Sequence, residues 1–341
     1  MITLKDLAAT VGVSPSAVSL VLNGRDKGRV NTATAQRIRE AAEEMGYIPN
    51  QLARGLKIRR THTLGVVSDR VASVPFAGHM LEGVQATAAA AGYVAMVIDT
   101  ANDPALFPHA SKSLLQRDIA ALIVAAEYHR EIDLPSVPPD VPVVTLDGFA
   151  RQAQRADGVV PEEYEGAFSA TRHLLDAGHR RIAHVTVGGG LYVASAFRLE
   201  GYRAALQRHG ADADARLVLE LEGTDTAAAY PRVRDFLDTS DRPTAVFCFS
   251  DQIAFAVFQA ATDLGLSIPE DLSVVGFDDQ QFIADALRPA LTTVRLPHYE
   301  MGAWAAQRAL DRASQQATGP VEVHRELCPL VERRSVGAPR A

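Results

Sequence analysis

The chain has 341 residues, 47% of them hydrophobic, and a formal net charge of −7. That length suggests more than one domain, and that apolar content is normal for packed globular cores. No apolar run reaches the ~18–20 residues of a membrane span; the opening MITLKDLAATVG lacks the basic region and apolar core of a secretory signal, and Cys248 and Cys328 follow no metal or redox spacing, so a soluble, reducing compartment is expected.

Charge is unevenly distributed. Residues 1–60 carry ten basic side chains against five acidic ones, which makes that segment +5 and the other 281 residues −12. A small basic head on a large acidic body points to an anionic polymer as the partner of the head, with a solvated basic surface as the plainer reading.

Three short helices are predicted in the head. LKDLAATV places Leu4, Leu7, Ala8 and Val11 on one apolar face, and Gly12 ends it. Ser14 is a good N-cap and Pro15 suits a first helical position, so a second helix opens there with Ala17, Val18, Val21 and Leu22 as its apolar stripe. Asn23-Gly24 stops it. A third runs from Asn31 to Met45 with Ala35, Ile38, Ala42 and Met45 inward and Gly46 beyond its end. Two helices joined by a short Gly-containing turn, then a third, make a helix-turn-helix pattern. The following YIPNQLARGLKIRR has room for two turns of helix, marginal alone because nucleation is costly and Gly55 adds roughly 1 kcal/mol against it.

From residue 62 the pattern becomes α/β. Strand-like runs at 63–68, 93–98, 119–125 and 141–146 alternate with helical stretches at about 78–91 and 104–117. The alternation restarts with a helix at 164–177, a strand at 181–187, a helix at 196–209, a strand near 216–221, a helix at 227–238, a strand at 244–250, a helix at 251–264 and a strand at 272–277. Apolar strands flanked by helices predict parallel sheets covered on both faces, here two of similar size. A ligand between two such lobes would lie in a cleft lined by the carboxyl ends of their strands.

These residues carry a family resemblance. ITLKDLAATVGVSPSAVSLVLNG, GYIPNQLARGL and THTLGVV, then GHRRIAHV, RLEGYRAAL, PTAVFCFSDQIAF, IPEDLSVVGFDD and PALTTVRLP, occur in the order found in the LacI/GalR transcriptional regulators. The chain resembles that family over nearly its whole length. The resemblance implies an all-α helix-turn-helix headpiece (1–48), a hinge helix or linker (49–61) and an α/β two-lobed domain of type I periplasmic-binding-protein-like fold (62–341). It places the first lobe at about 62–160 and 293–321 and the second at about 161–292 and 322–337, with a final strand near 325–331 in the second.

It also implies a dimeric repressor, a tetramer being left open, that binds a near-palindromic double-stranded operator and responds to a small-molecule effector, a sugar or polyol by family precedent. In the head, Pro15, Ser16 and Leu20 would face the major groove and Ser19 would lie near a phosphate. Many relatives are polar or basic at the position of Leu20; here a thymine methyl is the natural contact, unless Leu20 packs internally. In the hinge, Leu56 would wedge open the minor groove, Ala53 would pack on its dimer mate, and Arg54, Lys57, Arg59 and Arg60 would meet phosphates.

In the body, Arg198 would hold the effector with its forked donor and Asp278 would accept from it. Asp147, Ser250 and Asp251 end strands facing the same cleft, and Pro75 and Phe76 stand where the family has an Asn-Pro-aromatic motif, with Val74 replacing the Asn. Two departures stand out: residues 224–226 lack the aromatic that often stacks on the effector, and Glu162-Glu163 replaces the usual Asp-Asn at the lobe boundary.

Other chemistries find little support. GGG at 188–190 is not followed by Gly-Lys-Ser/Thr, His173, His179 and His184 lack metal spacing, and no nucleophile-elbow serine occurs, so neither cofactor nor metal nor catalysis is expected. A solute-binding module would explain the body but not the head. An α/β enzyme would lack its nucleophile.

Overall fold

The computed structural model describes residues 2–22, 24–47, 62–74, 77–151, 156–188, 190, 192–211 and 214–340. The hinge residues Ala53, Arg54, Leu56, Lys57, Arg59 and Arg60, and Pro75 and Phe76 of the body, lie outside them. Two compact units form, Met1–Thr61 and His62–Ala341.

In the first unit, α1 (Leu4–Val11) opens on a capping box. The Thr3 hydroxyl accepts from Asp6 N–H at 3.3 Å, and Thr3 N–H donates to the Asp6 carboxylate at 2.8 Å. Gly12, at φ +74°, ends the helix in the left-handed conformation that glycine adopts at no steric cost. α2 (Pro15–Leu22) follows, with the Ser14 hydroxyl accepting from Ala17 N–H at 3.2 Å. α3 (Thr32–Glu44) is capped by Asn31, whose Oδ1 accepts from Ala33 N–H at 2.9 Å. Leu7, Val11, Val18, Val21, Ala35 and Ile38 converge in one small core. Ala17 and Leu22 of the expected apolar stripe are only half-buried. Arg37 donates to the Val11 carbonyl and Arg39 pairs with Asp26, so these two cations stitch the head together.

The second unit contains two six-stranded sheets among the described residues. The first has the order β11-β5-β4-β3-β1-β2 and is parallel throughout. Its strands are β1 (Thr63–Ser68), β2 (Val94–Asp99), β3 (Ala121–Ile132), β4 (Val143–Ala150), β5 (Asp157–Pro161) and β11 (Val323–Glu326). The second has the order β12-β10-β9-β8-β6-β7, with β6 (Ile182–Val187), β7 (Val218–Leu221), β8 (Ala245–Cys248), β9 (Ser273–Asp278), β10 (Thr292–Arg295) and β12 (Leu330–Val331). Only the short β12 runs antiparallel among these pairings.

Both faces of each sheet are covered. In β3, Ala121, Ile123 and Ala125 join the core under α4 (Gly78–Ala90) and the long carboxyl-terminal helix His298–Ala313, while Leu122 and Val124 join the core under α5 (Leu106–Leu115). That is why the strand reads as an unbroken apolar run. The same holds in the second lobe, between α6 (Glu163–Asp176) with α7 (Val193–Arg208) on one face and α8 (Thr226–Leu237) with α9 (Asp251–Asp263) on the other. α4 and the long helix approach so closely that a Cβ on Gly83 would collide with the Tyr299 carbonyl, and one on Gly302 with that of Met80.

Strand pairing places two of the expected lobe crossings later in the chain. Thr292–Arg295 extends the second sheet beside β9, so the chain leaves that lobe after Arg295 rather than near 292. The expected single strand at 325–331 is two strands: Val323–Glu326 pairs with β5 in the first sheet, and Leu330–Val331 pairs with β10 in the second. An edge strand joins whichever sheet has a free ladder beside it, and the chain here serves both in turn. β5 has no counterpart in the sequence-based pattern, and β3 runs seven residues beyond its predicted end, to Ile132.

Candidate functional site

The first sheet, read from its edge, has the order 2-1-3-4-5, and the second repeats it as 7-6-8-9-10. In open α/β sheets ligands bind outside the carboxyl ends of the strands where the order reverses. Here the ends of β1 and β3 face those of β6 and β8. Between them lies an inner cavity of about 100 Å³, lined by Tyr128, His129, Asp147, Glu163, Arg198 and Asp278 among others. It adjoins an outer cleft of about 620 Å³ that shares Glu127, Thr224, Gln252, Asp278, Gln280, Leu296 and His298 with it.

The centre of the cavity is Arg198, 3% exposed on α7. Its Nε donates to Glu163 Oε2 at 2.7 Å, an Nη donates to the Phe249 carbonyl, and that Nη lies 3.6 Å from Asp278 Oδ1. The guanidinium lies over the Phe277 ring at 3.6 Å and the Phe249 ring at 4.4 Å. Burial alone would raise the Glu163 carboxyl, but the charge and hydrogen bond of Arg198 together with His129 outweigh it and hold Glu163 below its ordinary range.

The remaining carboxylates are less well compensated. Burial pushes Asp278 up to about 7, with Arg198 partly offsetting it; Gln280 donates to its Oδ2 at 3.0 Å. Burial and the nearby Glu163 and Asp69 charges push Asp147 well above its ordinary value. Asp147 is 3% exposed, and its Oδ1 has no hydrogen-bond partner among the described residues. Asp147 and Asp278 both hold positive φ, +55° and +107°. Such backbone conformations cost non-glycine residues about 1–3 kcal/mol and cluster at ligand sites.

Ser250 and Asp251 are occupied by the scaffold. Ser250 lines the cavity, but its hydroxyl caps α9, accepting from Ile253 N–H at 3.3 Å. Asp251 stands behind the wall, fully buried. Its Oδ1 accepts from the Thr293 hydroxyl at 2.6 Å and its Oδ2 from Gln280 N–H at 2.7 Å. Gly276 makes room for it, since a Cβ there would meet the Asp251 carboxylate. Asp251 therefore fixes the 278–280 loop that presents Asp278.

Sequence reasoning missed Glu127, Tyr128, His129 and Tyr192. The β3–β4 register jumps between Ala125/Leu146 and Arg130/Gly148, so four residues of β3 oppose one of β4. That bulge turns Glu127, Tyr128 and His129 into the cleft. The available signal was the polar EYH directly after an apolar strand, at the end where α/β sites form. Tyr192 meets Tyr128 edge-on at 4.9 Å and supplies, from another loop, the aromatic surface missing at 224–226. Among the described residues no cluster of His, Cys, Asp and Glu could hold a metal, and no helix is long and apolar enough to cross a membrane.

In the head, Pro15 and Ser16 are exposed, while Ser19 and Leu20 are half-buried. Leu20 is not part of the small core, whose α2 members are Val18 and Val21 with Leu22 packed against them. Arg25, Lys27 and Arg29 are exposed beyond the end of α2.

Comparison with known proteins agrees with this architecture. Residues 3–50 match the model of bacterial regulatory proteins of the lacI family, and residues 171–336 match that of a periplasmic binding protein-like domain. The HTH-type transcriptional repressor PurR of Edwardsiella ictaluri (strain 93-146) is 31% identical over 347 residues, covering 98% of this chain and 97% of the relative. The ribose operon repressor of Escherichia coli (strain K12) is 33% identical over 319 residues, covering 92% and 94%. Among solved structures, a transcriptional regulator CelR–cellobiose complex is 27% identical with a TM-score of 0.67, covering 98% of this chain and all of the other. The lac repressor dimer bound to operator and the anti-inducer ONPF shares the fold, with a TM-score of 0.80 at 24% identity over 99% of both chains. A helix-turn-helix head on a two-lobed α/β body with a polar cleft defines a DNA-binding transcriptional regulator built on a ligand-binding fold. The chain belongs to the lacI family of bacterial regulatory proteins.

Proposed function

We propose that this chain is a repressor acting as a homodimer on a near-palindromic operator, with its affinity set by a small hydroxylated effector, a sugar or polyol, held between the two lobes. It works in the cytoplasm, on the nucleoid, and catalyses no reaction. The observation that carries this reading is the buried set of Arg198, on α7, with Asp278 and Asp147, on β9 and β4, in a chain that begins with a helix-turn-helix. Arg198, Asp278, Asp147 and Ser250 line the effector site, with Pro75 and Phe76 assigned to its first-lobe wall; Asp251 supports it from behind.

On the DNA side, Pro15, Ser16 and Leu20 meet base edges and Ser19 a phosphate. Ala53 and Leu56 act in the hinge, and Arg54 and Lys57 supply phosphate attraction. Effector binding changes the angle between the first lobes of the dimer and so the spacing of the two hinges. By linkage, operator DNA changes effector affinity by the same factor.

Selection from random duplexes tests the reading. It should yield one near-palindrome bound with steep salt dependence, and a thermal-shift screen of sugars and polyols should yield a compound that alters affinity for that duplex. Only weak, sequence-independent binding would overturn it.

A further inference from the structure

We infer that the effector carries a protonated nitrogen, an amine on a hydroxylated frame, and that Asp147 is the carboxylate that receives it. This rests on the cleft being the effector site, and it follows from which charges in the cleft already have partners. At the mouth, Glu127 pairs with Arg70 at 3.1 Å and Asp69 with Arg130 at 2.7 Å, so those charges cancel. Inside, Arg198 is the only guanidinium among the described residues lining the cavity, and it faces two carboxylates: Glu163 at 2.7 Å and Asp278 at 3.6 Å. It cannot neutralise both. Asp147 lines the same cavity, is 97% buried by its 3% exposure, and has an Oδ1 without a partner among the described residues. Among the described residues lining the cavity, the carboxylates Asp147, Glu163 and Asp278 stand against the Arg198 guanidinium and the imidazoles of His129 and His298, and Asp147 is the one with an oxygen left unpartnered.

A buried charge is costly unless paired. Burial and the neighbouring carboxylates hold Asp147 well above its ordinary range, and a neutral sugar would offer it a hydroxyl donor but no charge to favour its ionised form. An anion would disfavour that form. An ammonium group supplies both the donor and the compensating charge. The walls fit that group as well, because the aromatic residues Tyr128 and Tyr192 line the cavity, their rings 4.9 Å apart, centroid to centroid. The His129 Nδ1 lies 3.8 Å from Glu163, which it helps Arg198 to compensate. Glu163 stands at the centre of this arrangement: by engaging Arg198 it removes the one cation that would otherwise have received an anionic or carbonyl-bearing ligand.

The test uses the full chain and matched probes: glucosamine with glucose, galactosamine with galactose, and 1-amino-1-deoxyribitol with ribitol. Affinities are read by calorimetry near neutral pH, and operator affinity by fluorescence anisotropy. At least one amine should bind tenfold or more tightly than its hydroxyl partner, and Asp147→Asn, which keeps the shape of the side chain, should bring that ratio close to one. Tyr128→Leu should reduce amine affinity several-fold with less effect on the neutral partner. Binding of no amine, equal binding of both members of every pair, or a preference that survives Asp147→Asn would overturn the inference. A neutral sugar that binds better and alters operator affinity would overturn the amine while leaving the repressor reading intact. An amine that binds through Asp147 without altering operator affinity would do the reverse.

Discussion

Arg198 and Glu163, thirty-five residues apart in the chain, form a buried ion pair at 2.7 Å on the floor of the cleft. Each makes the other tolerable there. Arg198→Ala would leave Glu163 and Asp278 buried without a counter-charge, and breaking a buried pair costs about 3–5 kcal/mol. Urea unfolding should show a loss of that size. Arg198→Met combined with Glu163→Leu should recover part of it, because Glu163 is then no longer buried without a partner while Asp278 still lacks its cation. A double variant no more stable than Arg198→Ala would show that the pair is not the source of the loss.

Asp278 predicts a pH dependence of the opposite sign to an ordinary surface carboxylate. Its folded pKa of about 7 lies above the unfolded value of 3.8. Its protonated form is therefore favoured by the fold, and the stabilisation present below pH ~4 is lost as pH rises to about 7. Asp278→Asn removes that loss. The variant should match the parent near pH 4 and exceed it at pH 8 by up to about 4 kcal/mol, at about 1.4 kcal/mol per unit. It should also lose its ligand response. Melting curves across that range check the first outcome, and calorimetry with the bound ligand checks the second.

His184 predicts the acid limb. Fully buried in β6, it stacks on Phe247 at 4.6 Å, with its Nδ1 3.1 Å from the Phe247 carbonyl. Burial lowers its pKa to about 3 from 6.5. The unfolded chain takes up the proton first, so stability is full above pH 6.5 and falls as pH drops toward 3. Between pH 7 and 4 this one group should remove about 3 kcal/mol. His184→Gln should be less stable at pH 7 but show a shallower acid slope; an unchanged slope would assign the acid sensitivity to other groups.

Gly83 and Gly302 mark the tightest helix–helix approach in the first lobe. Gly83→Ala should push α4 off the Tyr299 carbonyl and cost about 1–3 kcal/mol, as overpacking does. Ala86, on the same helix beside an open surface hollow, should accept Ser within about 0.5 kcal/mol. Comparing the two melting temperatures separates close approach from helix propensity.

Leu20 predicts a base preference. A helix with no charged side chain before its end can discriminate bases only through hydroxyls and methyl contact, so the selected operator should carry thymine opposite Leu20. Leu20→Ala should weaken that duplex by about 1–2 kcal/mol and flatten the thymine preference, with non-specific binding unchanged. Repeating the selection with the variant reads both.

The sequence carried local information well. Ser14, Asn31 and Gly12 announce helix ends because caps involve near neighbours in the chain. The apolar strands announce a sheet buried on both faces. It failed where a residue's meaning depends on a distant partner. EYHREI continues β3 but reads as polar loop, because its bulge exists only against β4. Asp251 read as a ligand group, yet Thr293 and Gln280 occupy both its oxygens.

Composition, periodicity and motif order by themselves determined a basic three-helix head, a doubly covered α/β body, and the placing of Arg198 on a helix and of Asp278 after a strand. Tertiary structure decided which charges cancel. Coulomb energy depends on distance through space and on exclusion of water. Neither is written along the chain: Glu163 looked like a boundary substitution until the fold set it against Arg198 and left Asp147 Oδ1 without a hydrogen-bond partner among the described residues.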